Sequence, residues 1–480
     1  MTSPNFARQT EAFVSWFKAL PGAVLSDDVE IADLRSRGAG RGFGMRTMLG
    51  EGRKPSRAAV IVATRDIPAE ATLCTIPRKA ILTIETSDLS KQLAEPSDPN
   101  EPKTQALTDL DSWSALILVL IYEHLRGPDS PWGPYLHLLP ETFDTPMFWS
   151  EGELAELQAS ALPSKIGRRE ADDMFRELIL PVIRARPRVF RSCEGCSDEM
   201  LLRLAHRMGS TVMAYAFDLE GDDEEDGAEA APDGWVEDRD EKMLMGMVPV
   251  ADMLNADAEF NAHVNHQDHH LTITSLRPIK AGEEILNYYG PHPNSELLRR
   301  YGYVTAKHAR YDVVEIPWTT VEEATAAHLN LSPDQLDKAR DSLDLEELED
   351  TFVLERESGE PKSDGTLDGS ATVSELPPDL LHQLDALLKA VPKSDKRGRS
   401  ETRTAILTRV LTTIESRYPT SIAEDELLLQ RDGLDARRRM AVQVRLGEKR
   451  LIDEAKRFLS DPSPRRSKKV KAGQDNQDSV

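Results

Sequence analysis

The sequence predicts an α+β fold: a β-rich core, a mainly helical insertion within it, and a helical domain after it. Three observations predict this. RDIPAEATL (Arg65–Leu73) and RPIKAGEEI (Arg277–Ile285) share Arg, Ile and Ala at matching offsets, and each follows a strand-like run. Such an echo suits a β core assembled from the two ends of a long segment. Between the two, the apolar period becomes helical at Ser112–Arg126, through Trp113, Leu116, Ile117, Leu120, Ile121 and Leu125. Beyond Val304, helical stripes return.

Element by element, Glu11–Leu20 has Phe13, Trp16, Phe17 and Leu20 at helical spacing and predicts a leading helix. Val29–Leu34, Ala58–Thr64, Leu73–Ile76 and Ala80–Ile84 are short, β-branched and split by turn residues, as strands are. Helical character continues through Glu151–Ala161, Gly167–Arg184 and Asp198–Ala216. Asp218–Glu241 is acidic and poor in apolar residues, so a mobile loop is expected there. Leu380, Leu381, Leu384, Leu387 and Leu388 form one later stripe, and Ile406, Val410, Leu411 and Ile414 a second. A polar stretch, Glu355–Thr372, interrupts this region, and Asp425–Leu459 predicts one long charged helix. The last residues carry no core potential and predict a disordered tail.

Composition narrows the function. The chain has 480 residues, more than a single small core requires, so two domains or one with a large insertion are expected. Its longest apolar run, Ala115–Tyr122, is far short of a membrane span, and the N-terminus has no basic start before an apolar stretch, so neither a membrane protein nor a secreted one is expected. Three cysteines, Cys74, Cys193 and Cys196, suit a reducing compartment. A net charge of −24 argues against DNA and favours a basic protein partner.

Chemistry concentrates between Met247 and Val304, with Asn255, Tyr289 and Tyr301 in one short span. A buried asparagine can hold an amide-like ligand edge, and tyrosines can wall a narrow channel and point a hydroxyl into it. Near the N-terminus, Gly38–Gly44 has four glycines in seven residues. It matches neither G-x-G-x-x-G nor a phosphate loop, yet it lets a ligand lie close to backbone. Two other patterns are set aside. Cys193-Glu194-Gly195-Cys196 is a single CxxC without a second pair, so a closed zinc site is not expected. His263, His266, His269 and His270 surround Asp268 in a polar segment read as a solvated loop between strands.

Together, Gly38–Gly44, Val248–Asn255 and His292–Val304 (HPNSELLRRYGYV) resemble the SET-domain protein methyltransferases, in which Val248–Asn255 would be a strand ending in an asparagine beside the methyl donor. The branch is the one named after Rubisco large-subunit methyltransferase, and within it His292–Val304 looks most like fungal enzymes acting on ribosomal lysines. The resemblance implies a SET core over residues 26–290, with a helical insertion over 89–242 and the acidic loop 218–241. A leading helix (1–25) precedes it. A closing segment (291–306), a helical substrate-binding domain (307–460) and a basic tail (461–480) follow it. It implies that S-adenosyl-L-methionine is the methyl donor, with no metal. The donor would be held by Arg41, Gly42, Phe43, Tyr215, Asn255, Ala256 and Tyr301, where most relatives have histidine in place of Ala256. Tyr289 would be catalytic, Tyr288 being the alternative by register. Trp132, in the W-x-P-Y pattern of Trp132–Tyr135, and Tyr303 would face the substrate, although Trp132 could equally be packing in a Pro-rich connection.

The activity so implied is protein-lysine N-methylation. The expected product is a monomethylated lysine in a protein of the large (60S) ribosomal subunit, made by a monomeric enzyme. A histone or other non-ribosomal acceptor, lysine or histidine, is the alternative, and a non-catalytic peptide-binding module of SET shape is another. Arg465, Arg466, Lys468, Lys469 and Lys471 form a basic cluster that predicts nuclear import.

Overall fold

The computed structural model describes residues 4–33, 59–94, 107, 110–193, 195–219, 244–343, 348–391 and 398–461. The Gly-rich segment, the acidic stretch beyond Leu219 and the basic tail lie outside the described residues. The chain divides into two compact units. The first comprises Met1–Glu315, Val353–Thr372 and Ser416–Leu451.

In that unit, α1 (Pro4–Ala19) buries Phe13 and Phe17, the apolar face that the sequence spacing predicts. Strand β1 (Val24–Leu25) follows, then β2 (Val29–Asp33) and β3 (Ala59–Ala63), which pair antiparallel. All five residues of β3 are buried, which explains a continuous apolar run without alternation. Strand β4 (Thr72–Pro77) sits between β1 and a later hairpin in a four-stranded antiparallel sheet.

The insertion is organised around α2 (Ser112–Arg126). Asp111 caps its start by accepting from the Ser114 N–H at 2.9 Å, and Gly127 ends it with φ +56°. Every residue from Ala115 to Ile121 is buried, so this helix runs through the core instead of covering it. Its one deeply buried charge, Glu123, accepts hydroxyl hydrogen bonds of 2.7 Å from Ser87 and from Ser130. Helix α3 (Asp198–Tyr215) packs on α2 and is capped by Ser197. It leads directly into β5 (Ala216–Leu219), paired with β6 (Leu244–Met247).

The two echoing segments pair with each other. Ile67 and Ile279 exchange backbone hydrogen bonds of 2.8 and 2.9 Å. Around them the contacts repeat with the chains exchanged: Glu70 N–H to Ser275 carbonyl and Gly282 N–H to Ala63 carbonyl, Ser275 N–H to Ala71 carbonyl and Ala63 N–H to Glu283 carbonyl. Glu70 and Gly282, three residues after each isoleucine, both take positive φ, 62° and 85°. The sequence echo is thus a local two-fold relation that joins the two ends of the SET-like core across the insertion.

Four expected elements differ. Ala80–Ile84 is not a strand; Leu82 pairs only once, with Met247, because the Thr83 hydroxyl accepts from the Glu85 and Thr86 N–H groups and turns the chain. Glu151–Ala161 is helical only to Ala155, and Gln158 has φ +56°. Val248–Asn255 is not one strand either. Val250 is buried at φ +76°, a conformation costly for a β-branched residue, and a 3₁₀ turn follows over Ala251–Met253. The long helix predicted at Asp425–Leu459 is two, Ile422–Leu429 and Ala436–Ser460, separated at Gly433 (φ +75°).

The second unit comprises Ile316–Phe352, Val373–Glu415 and Ile452–Val480. Both predicted stripes fall in helices there, Pro378–Ala390 and Arg399–Ser416, and all their residues are buried except Leu381, which is partly exposed. Arg340 pairs through two nitrogens with Glu322, at 2.7 and 2.8 Å, and Arg403 pairs with Asp385 at 2.9 Å.

Candidate active site

Strand β7 (Asn255–Ala256) lies parallel to β10 (Leu286–Asn287), with Leu286 opposite Asn255 and Asn287 opposite Ala256. Between them come the hairpin strands β8 (Ala262–His266) and β9 (His270–Ser275). Parallel pairing sets the residues after Leu254 beside those before Gly290. Asn261 clamps the arrangement, its amide donating to the Glu284 carbonyl at 2.9 Å and its side-chain oxygen accepting from the Leu286 N–H at 2.8 Å. Sequence reasoning missed Asn261, because an asparagine just ahead of a strand reads as a turn former.

Three tyrosines meet here. Helix α4 (Asn294–Tyr301) ends at Gly302, whose left-handed φ of 74° turns Tyr303 back toward Tyr301. The Tyr289 and Tyr301 rings are 4.9 Å apart, and those of Tyr301 and Tyr303 6.1 Å. The Tyr289 hydroxyl donates to the Leu254 carbonyl, and the Tyr303 hydroxyl to the Ala256 carbonyl at 3.2 Å. Burial, with Tyr303, Tyr301, Tyr215 and Asp252 nearby, holds the Tyr289 phenol well above its usual 10. It stays protonated, and with its proton directed at Leu254 its oxygen lone pairs remain as acceptors.

Tyr215, at the end of α3, lies close enough to act on that phenol, and its ring is 6.5 Å from Phe143. The Asn255 amide donates to the Glu284 carboxylate at 2.6 Å, which orients the group and leaves its carbonyl oxygen on the other side. Tyr288 points elsewhere: its ring stacks on Phe260 at 4.8 Å and its hydroxyl neighbours Tyr311. The two tyrosines thus lie in different surroundings, Tyr289 beside Tyr301 and Tyr288 against Phe260.

Two further groups border the cluster. Burial, and then Arg300, lower the His292 imidazole to about 4, keeping it neutral 6.5 Å from the Tyr301 ring. Asp252 is buried and accepts from the Tyr135 hydroxyl at 2.6 Å. Neither has a spacing that would have singled it out in the sequence.

Trp132 is buried, and its indole N–H donates to the Ala80 carbonyl at 2.9 Å, a contact that suits packing. Arg41, Gly42 and Phe43 lie outside the described residues. Among the described residues no group of three or more His, Cys, Asp or Glu could hold a metal ion. His263, His266 and His270 sit on the β8–β9 hairpin strands, not in a loop.

The SET domain family matches residues 59–290 and the Rubisco LSMT substrate-binding family residues 342–452. Residues 59–290 are thus a SET domain. The chain is 32% identical over 344 residues to "Ribosomal lysine N-methyltransferase 4" of Saccharomyces cerevisiae, covering 71% of this chain and 64% of that one. It is 29% identical over 424 residues to human "N-lysine methyltransferase SETD6", covering 82% and 83%. To SETD6 of Xenopus laevis it is 31% identical, over 58% of each chain. The matched stretch thus spans less than two thirds of the yeast and frog relatives. Among solved structures, the SET domain of LSMT bound to lysine and AdoHcy superposes with a TM-score of 0.60 at 18% identity, over 95% of this chain and 92% of that one. Rubisco LSMT bound to AdoMet gives 0.59 at 19% identity.

Proposed function

We propose that this SET-domain protein is an S-adenosyl-L-methionine-dependent protein-lysine N-methyltransferase that needs no metal. The observation that carries the reading is Tyr289: a phenol held protonated by burial, its hydroxyl donating to the Leu254 carbonyl and its ring 4.9 Å from that of Tyr301. The methyl donor supplies an electrophilic carbon on a sulfonium, which transfers in line to a neutral amine. The residues fit such a cationic group. Aromatic faces attract cations, and the phenol oxygen can accept the weak C–H hydrogen bonds of a polarised methyl. The Asn255 carbonyl oxygen is free of the Glu284 contact and suits an N–H donor on the ligand. The surroundings that push His292 to about 4 would also disfavour a lysine ammonium, favouring the neutral nucleophile.

In this reading Arg41, Gly42, Phe43, Tyr215, Asn255, Ala256 and Tyr301 hold the methyl donor, and Tyr303 lines the lysine channel. Trp132, with its indole committed to Ala80, serves packing. The acceptor we propose is a lysine of a large-subunit ribosomal protein, monomethylated. The 32% identity to the yeast ribosomal enzyme and a net charge of −24, which steers basic proteins, support this. Similarity to SETD6 over 82% of the chain favours a second reading, in which the acceptor lies outside the ribosome. Import to the nucleus by the cluster Arg465–Lys471, and action as a monomer, complete the proposal.

The purified protein, labelled S-adenosylmethionine and either ribosomal subunits or histones distinguish these readings. Label located by mass spectrometry on a large-subunit lysine supports the first and label on another protein the second, while no label on any protein overturns the activity. Calorimetry with a chelator present should still record methyl-donor binding; its loss would refute the metal-free site. Truncation after Asp461 should move a fluorescently tagged protein toward the cytoplasm, and an unchanged distribution removes the import role.

A further inference from the structure

Cys193 and Cys196 take no part in the chemistry proposed above, yet they are placed for chemistry of their own. They are the ends of a β-turn: the Cys196 N–H donates to the Cys193 carbonyl at 3.0 Å. Gly195 has φ +86°, a left-handed backbone that glycine takes without strain. Such a turn brings its first and last Cα atoms within about 7 Å. That overlaps the roughly 4.4–6.8 Å that a disulfide spans.

The two sulfurs differ in access, which suits sequential roles. Cys193 is buried in the main core, and burial first, then the adjoining Cys196 thiol, raise its pKa to about 11. Cys196 is only partly buried. The Cys196 thiol donates to the Ser192 carbonyl at 3.8 Å, and the Arg184 guanidinium braces the turn by donating to the Cys196 carbonyl at 2.7 Å while pairing with Asp198. No third ligand joins the pair among the described residues.

We propose that Cys193 and Cys196 form a reversible redox site, a dithiol that small disulfides such as oxidised glutathione convert to an intramolecular disulfide. The Cys196 thiolate attacks one sulfur of the small disulfide. That S–S bond breaks, one thiolate leaves and takes up the proton Cys196 gave to solvent, and a mixed disulfide remains on Cys196. Cys193 then loses its proton and attacks the Cys196 sulfur, expelling the second small thiol. Two protein thiols are oxidised and one disulfide is reduced to two thiols.

The full chain, treated with excess oxidised glutathione, acid-quenched, alkylated and mapped by mass spectrometry, tests this. Wild type is expected to lose two alkylatable thiols and give a peptide internally linked between positions 193 and 196, with dithiothreitol restoring both thiols. C193S should retain one glutathionyl group on Cys196, C196S should gain no link, and C74S should behave as wild type. Should a serine variant fail to fold, the wild-type peptide map decides alone. A lasting glutathionyl adduct on wild-type Cys196, or two thiols that stay alkylatable, overturns the proposal. Neither result bears on methyl transfer.

Discussion

The Tyr289 hydroxyl donates its proton to the Leu254 carbonyl, thirty-five residues earlier in the chain. This contact fixes the phenol oxygen at one end of the paired strands β7 and β10, with the Tyr301 ring 4.9 Å from its own. Tyr289→Phe removes that oxygen and almost no volume. The loss in stability should be about 1 kcal/mol, the net worth of one hydrogen bond. Turnover should fall on the order of a hundredfold or more, as when a placed polar group is removed from a reaction site. Tyr288→Phe, whose ring stacks on Phe260, should leave turnover within a few-fold of wild type. Steady-state methylation by both variants checks the pair, and equal rates for wild type and Tyr289→Phe would remove Tyr289 from the mechanism.

Asn255 is oriented from behind. Its amide nitrogen is tied to the Glu284 carboxylate at 2.6 Å, a charge-assisted contact that selects one of the two ways the amide could point. Asn255→Ala should weaken methyl-donor binding by about tenfold, the worth of one hydrogen bond of about 1.4 kcal/mol. Glu284→Gln offers both a donor and an acceptor to Asn255, so it should weaken binding less than Asn255→Ala and leave the saturated rate largely intact. Isothermal calorimetry with S-adenosylmethionine checks the order. Unchanged affinity in Asn255→Ala would place the ligand elsewhere.

Much of this was legible because it is periodic or local. The stripe through Leu116 and Leu120, the five apolar residues of β3 and the echo around Ile67 and Ile279 each left a pattern in the chain. Tyr289 and Asn255 are singled out by resemblance alone, since a lone tyrosine after a strand carries no signal of its own. What escaped depends on three-dimensional neighbours. Asp252 and His292 matter through burial and nearby charge, and Asn261 acts through two backbone contacts on another strand. Val250 illustrates the same limit: the run Val248–Leu254 looks like a strand, and only the packed structure holds a valine at positive φ to break it. Trp132 matched a family pattern, yet its indole reaches the Ala80 carbonyl.

Gly447 touches a buried acid. A Cβ placed there would stand 2.0 Å from Asp312 Oδ2, inside any allowed contact. Asp312 cannot easily yield, because its other oxygen accepts from both the backbone and the side-chain amide of Asn294, at 3.1 and 3.2 Å. Gly447→Ala should therefore cost about 1–3 kcal/mol, the usual penalty of overpacking, although alanine is the better helix former. Urea denaturation checks it. A variant as stable as wild type would mean that Asp312 moves freely, which its two contacts with Asn294 oppose.

Asp312 also has a titration consequence, shared with Glu448. Burial raises Asp312 to about 7, and it raises Glu448 to about 8 despite hydrogen bonds to Glu448 from the Ser160 and Tyr418 hydroxyls. Each acid then keeps its proton in the fold at pH values where the unfolded chain, with carboxyl pKa near 4, has released it. A group with a raised pKa contributes stability that is fully present below the unfolded value and is lost as pH rises through the folded value. Between about pH 5 and 8, stability should thus fall as pH rises. Glu296, held at about 2 by Arg299 and Arg300 against its burial, works in the opposite sense only at lower pH, and His292, lowered to about 4, offsets part of the decline below about pH 6.5. Urea midpoints measured from pH 5 to 9 should decline in wild type and level off above pH 8. Glu448→Gln keeps the size and a hydrogen-bonding head without the titration, so its decline should be shallower. A wild-type midpoint that rises across this window would show that both acids are ionised in the fold, paired with cations such as Arg356 and Arg450, which already pull Asp312 downward.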